Sequence, residues 1–142
     1  MPGGPPARRR GLLGLRLLVT TLALAVAGCA LVPTPWVGGW RLRTIGGNPA
    51  AAQATIVFTA TDVVLETGCN QGAGQYEMAN GKLTLKDVAF TAVGCLGAVA
   101  TQDAAFVALA GGTPSLSVSG DTLTIDAGGG RPVLVFDRTS GA

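Results

Sequence analysis

From Trp40 onward the apolar residues of this chain tend to recur at every second position, in short runs separated by glycine-bearing turns. Successive side chains of a strand point to opposite faces, so this spacing commits a chain to strands that bury one face and wet the other. Trp40 and Leu42 alternate with Arg41 and Arg43, and Ile56 and Phe58 alternate with Thr55 and Thr59. Asp62–Glu66 contributes another short run, Val63-Val64-Leu65. Asn80-Gly81 then separates Gln75–Ala79 from Lys82–Lys86. Asn-Gly predicts a two-residue hairpin, because both turn positions need positive φ. In the second arm Leu83, Leu85 and Val88 are expected to face the core, with Lys82, Thr84 and Lys86 in water. Further strands are expected at Ser115–Ser119, Thr122–Asp126 and Pro132–Asp137, joined by Gly120-Asp121 and Gly128-Gly129-Gly130.

One segment breaks the period. From Thr101 to Ala110 the spacing of Phe106, Leu109 and Ala110 is helical, with Thr101 as the expected N-cap and Gly111-Gly112 as the stop. The sum is an α+β, β-rich antiparallel domain with one packed helix.

The N-terminus reads differently from everything after it. Arg8, Arg9, Arg10 and Arg16 precede an apolar stretch, Leu17–Ala27, that ends in Val26-Ala27-Gly28-Cys29. A basic region, a short apolar region and small residues at a cleavage point form a secretory signal. The last four residues resemble a bacterial lipobox, whose cysteine is acylated and becomes the first mature residue. A retained membrane-spanning helix needs about 20 apolar residues, and Arg16, Pro33 and Pro35 bracket less than that. The expected organisation is therefore a signal peptide over 1–28 and a proline-containing tether over 29–39. A single domain over 40–139 and a short tail, 140–142, follow. The expected location is the outer face of the cell membrane, or the outer membrane where the host has one. The arginine cluster leaves the export route, Sec or twin-arginine, open.

Processing reverses the charge. The precursor carries ten basic and eight acidic residues, but four of the bases precede Cys29 and all the acids follow it. The mature chain is thus mildly acidic and gives no reason to expect nucleic-acid binding.

The chain has no histidine. That removes Ser-His-Asp and Cys-His machinery, the usual zinc sites and histidine proton transfer. Neither a nucleophile elbow nor a phosphate-binding loop motif is present. The carboxylates are scattered singly, and Gly128-Gly129-Gly130 before Arg131 reads as a hairpin turn rather than an anion cradle. No catalytic residue, metal site or cofactor is expected.

Cys69 and Cys95 are free to pair once Cys29 is set aside, and a pair of cysteines in an exported chain usually forms a disulfide. A reactive thiol would need a nearby cation, and neither cysteine has a basic neighbour in sequence. Around Cys69 the glycines Gly68, Gly72 and Gly74 permit positive φ and close approach. Asn70 is suited to bonding amides in a turn, and Tyr76 to burying its ring with the hydroxyl paired.

The run Gly68-Cys69-Asn70-Gln71-Gly72-Ala73-Gly74-Gln75-Tyr76 resembles the G-C-N-x-x-x-G-x-Y signature of the META domain, also called HslJ-like. Trp40-Arg41-Leu42 with Ile45-Gly46-Gly47, Thr91–Cys95, Asp103–Phe106 with Leu109, and Leu134–Arg138 are similar to its other elements, in order. Asp103 stands where the family has glutamate, and Ala92 and Val93 occupy positions that often hold a basic residue. The resemblance implies an antiparallel sheet curled into a partly open, cracked barrel, similar to that of the secretin pilotins, which bind lipid or protein. It implies a non-catalytic lipoprotein that binds an envelope protein or lipid, with a role in envelope stress. An apolar groove between barrel and helix, near Phe106 and Leu109, is the expected place. An inhibitor of an envelope hydrolase, or a carboxylate enzyme, is the alternative.

Overall fold

The structure, a computed structural model, describes residues 1–6 and 33–140. Cys29, its lipobox and the signal region lie outside the described residues. Pro33–Ala142 form a compact unit of their own.

Among the described residues nine strands and one helix follow one another: β1 (Gly38–Ile45), β2 (Asn48–Pro49), β3 (Thr55–Phe58), β4 (Asp62–Glu66), β5 (Gln71–Ala79), β6 (Lys82–Phe90), α1 (Gly97–Leu109), β7 (Ser115–Ser119), β8 (Thr122–Asp126) and β9 (Leu134–Arg138). All pairings are antiparallel. The ladder runs β1-β3-β4-β5-β6-β7-β8-β9 and returns to β1, closing an eight-stranded barrel with β2 outside it. The barrel therefore closes, where a crack was expected. Its weakest seam is β6–β7, which pairs only Lys82 with Ser115 and adds bonds from Leu83 N to Pro114 O and Leu116 N to Gly81 O.

Alternation decides what fills the interior. Trp40, Leu42, Ile56, Phe58, Val63, Leu65, Leu83, Leu123, Ile125, Leu134 and Phe136 all point inward and are buried. Phe106 and Leu109 of α1 enter the same core, and the Phe106 ring meets Phe136 edge-on with centroids 6.0 Å apart. The Asn80-Gly81 hairpin forms as expected, with φ of 52° and 71°.

The helix departs from its expected bounds. It starts at Gly97, with Leu96 at the N-cap and no side-chain cap, so Thr101 lies exposed inside the helix. The first turn, Gly97-Ala98-Val99-Ala100, consists of small or branched apolar residues with no helical spacing of their own. The helix begins two residues after the disulfide-bonded Cys95, without a capping side chain.

Thr101→Ala separates the two accounts. As an exposed helix-interior substitution it should change stability by no more than about 0.5 kcal/mol, whereas loss of a true N-cap costs about 1 kcal/mol; urea unfolding reads the difference.

Candidate functional site

β4 and β5 are joined by Thr67-Gly68-Cys69-Asn70, and this turn is the most densely bonded place in the described residues. The Thr67 hydroxyl accepts from Cys69 N at 3.2 Å and from Asn70 N at 2.8 Å, folding the chain back on itself. Gly68 makes the turn possible twice over. Its φ is 94°, and a Cβ there would lie 2.8 Å from the Ala52 methyl and 2.9 Å from the Gln102 amide nitrogen. Gly72 and Gly74 serve close approach instead of positive φ. A Cβ at Gly72 would strike the Phe90 ring, and one at Gly74 would lie 2.7 Å from Val88 Cα where β6 bulges.

Asn70 is buried and uses its whole carboxamide. Its Oδ1 accepts from the Thr91 hydroxyl at 2.8 Å and from Val93 N at 2.7 Å. Its Nδ2 donates to Val93 O at 3.1 Å and to Asp103 Oδ2 at 3.2 Å, and lies 3.3 Å from the Cys95 sulfur. One side chain thus joins the turn, the segment after β6 and the helix. The disulfide Cys69–Cys95 spans the same three-way junction, with Cα atoms 6.1 Å apart. Closing that loop of 26 residues contributes roughly 3.5 kcal/mol on the chain-entropy account.

The helix supplies two more members. Asp103 Oδ1 accepts from the Thr67 hydroxyl. Gln102, only 1% exposed, accepts from Ala51 N at 2.8 Å and donates to Thr67 O at 2.6 Å and Ala52 O at 3.1 Å. Among the described residues no buried side-chain nitrogen or oxygen lacks a partner. A buried network satisfied throughout fixes the geometry of the turn. Among the described residues no three potential metal-ligating side chains come together either.

The sequence-predicted residues fall in separate places. Cys69, Cys95 and Asn70 converge at this junction. Tyr76 sits at the other end of the barrel, buried edge-on against Phe58 at 4.9 Å; its hydroxyl accepts from Trp36 Nε1 at 3.1 Å and donates to Thr59 O at 2.7 Å. Phe106 and Leu109 line no groove, because both side chains are fully buried in the barrel core. The open space lies beside other faces of the helix. A cleft of about 250 Å³ is lined by Ala104, Ala105, Ala108, Arg131 and Leu134, and one of about 380 Å³ by Ile45, Ala51, Ala98, Gln102 and Pro132. Beside the disulfide, Val93 and Leu96 stand 62% and 87% exposed.

Thr67 and Gln102 were not legible as site residues. Thr67 reads as one more threonine at a strand end, and nothing marks a glutamine in an apolar helical run as buried. Asp103, with aspartate in place of the family's glutamate, still reaches both Thr67 and Asn70.

A family model for the META domain matches residues 35–140. No curated protein matches the chain. Among solved structures, an NMR structure of a protein aligns with TM-score 0.63 and 19% identity, covering 75% of this chain and 96% of that one. An NMR structure of a protein from Burkholderia xenovorans aligns with TM-score 0.56 and 16% identity, covering 72% and 82%. At these identities the two structures speak for the fold.

The network makes two stability predictions. Asn70→Ala removes the bonds that its buried carboxamide makes to Val93 N and O, the Thr91 hydroxyl and Asp103, and should cost about 2–3 kcal/mol in denaturant unfolding of the oxidised protein. Gly68→Ala combines strain with overlap and should cost more than about 2 kcal/mol, whereas Gly120→Ala, at φ 57° with open space around it, should cost only about 1 kcal/mol.

Proposed function

The chain belongs to the META domain family, and on that premise we propose that it is a non-catalytic envelope lipoprotein, anchored through acylated Cys29 and binding a protein partner, in a stress-related role. The observation that carries the reading is the contrast at the helix end of the barrel. There the polar side chains are committed to one another, while Val93 and Leu96 project beside the disulfide and the Asn70 bonds. An exposed apolar pair on a braced loop adds contact area at little ordering cost on association.

The lipid-binding version finds less support. The interior is filled by Trp40, Phe58, Phe106 and Phe136, all at most 1% exposed, which leaves no channel for an acyl chain among them. Inhibition of an envelope hydrolase remains a second reading, favoured by the same protruding Leu96, which suits insertion into a partner's cleft.

Two measurements test the proposal. Intact mass of the chain recovered from its host should show an N-terminal Cys29 carrying acyl groups; a chain that still begins at Met1, or an unmodified Cys29, contradicts the anchor. A photo-crosslinker placed at Leu96 should give a defined adduct with an envelope protein that Val93→Glu abolishes without moving the unfolding midpoint. Equal adducts from a crosslinker at Gly129 would contradict the binding surface. Loss of a partner hydrolase's activity on adduct formation would select the inhibitor reading.

A further inference from the structure

The segment before β1 is built into the barrel. Trp36 donates its indole N–H to the Tyr76 hydroxyl, and its carbonyl accepts from the Trp40 indole at 2.7 Å. Arg138 donates to Pro35 O at 2.8 Å and Val37 O at 3.4 Å, lies 4.1 Å from the centroid of the Trp40 ring and pairs with Asp121 at 3.2 Å. Val37 N bonds Thr34 O at 3.1 Å. The chain from Thr34 to Gly39 is therefore not a free linker. It is fixed at the end of the barrel that carries Thr59, Tyr76 and the β7–β8 turn.

The helix lies at the other end. Gln102 bonds Thr67 O at the end of β4, whereas Tyr76 N bonds Thr61 O just before β4 begins. The five residues of β4 separate the two ends by roughly 17 Å. Between Cys29 and the pinned Pro35 only about five residues remain, which reach at most ~18 Å.

We infer that the pinned segment orients the domain on its membrane: the Trp36–Arg138 end faces the lipid surface and the helix end, with Val93 and Leu96, faces away. This rests on the lipid at Cys29 proposed above. The facing end is suited to lie on a lipid surface without entering it. Its turns, Thr59–Asp62, Asn80-Gly81 and Ser119–Thr122, carry Asp62 and Asp121, no lysine or arginine, and no exposed large apolar residue. The exposed apolar pair is displayed toward the aqueous side, where a soluble or neighbouring envelope protein can reach it. A free linker of the same length would let the domain tumble and present every face.

The test uses both tryptophans of the chain, Trp36 and Trp40, which lie at the end inferred to face lipid. The chain beginning at Cys29, with Cys69–Cys95 oxidised, is coupled through Cys29 to a maleimide phospholipid in phosphatidylcholine vesicles bearing a nitroxide headgroup quencher. Installing the lipid chemically keeps this test independent of natural acylation, which the mass of the host protein reports separately. Native tryptophan emission should be quenched several-fold more than the added emission of Val107→Trp, on the exposed face of α1. Equal quenching of the two, stronger quenching of the Val107→Trp increment, or no quenching of either overturns the inferred orientation.

Discussion

The carboxamide of Asn70 is the interaction on which the rest of the helix end depends. The stretch after β6 lies exposed and outside the sheet, and it is held to the barrel through one buried side chain, which both donates to and accepts from Val93 while also holding Asp103. Asparagine suits the place because its amide offers donor and acceptor together. Aspartate would only accept, and would set a second carboxylate against Asp103. The disulfide acts on the same junction by a different principle, restricting the unfolded chain, so the two devices reinforce each other without duplicating a contact.

The barrel gives this junction something rigid to stand on, and gives the molecule two unlike ends. At one end, Gln102 and Asp103 tie α1 to the turn after β4. At the other, Trp36, Tyr76 and Arg138 tie the incoming chain to the strands. The wall between them is held by aromatic and branched side chains, with Phe106 drawn from the helix into contact with Phe136 of β9. The interior is filled by side chains of the chain itself. Val93 and Leu96, beside the disulfide, are more exposed than Val57, Val64 or Val107 on the strands and helix.

Much of this was readable in one dimension, for identifiable reasons. Ile56 and Phe58 alternate with threonines, and they point inward because strand geometry has only two faces. Asn80-Gly81 announced its turn because few other residues accept positive φ twice. Closure of the barrel depends on β1 meeting β9, where Trp40 pairs with Arg138 across most of the domain; no local pattern encodes such a contact. The helical spacing of Phe106 and Leu109 correctly marks one apolar face but cannot say whether that face lines a groove or plugs a core. The buried role of Gln102 was invisible because its partners are backbone groups of Ala51, Ala52 and Thr67, which carry no sequence signature.

The central claim is that Asn70 holds the loop after β6 by bonds that do not require the disulfide. Amide hydrogen exchange at Val93, whose N–H reaches Asn70 Oδ1 at 2.7 Å, tests it most directly. The account predicts strong protection of that amide in the oxidised protein and retained protection after Cys69–Cys95 is reduced under native conditions. Exchange of the Val93 amide at the rate of an exposed loop, in either state, would contradict it.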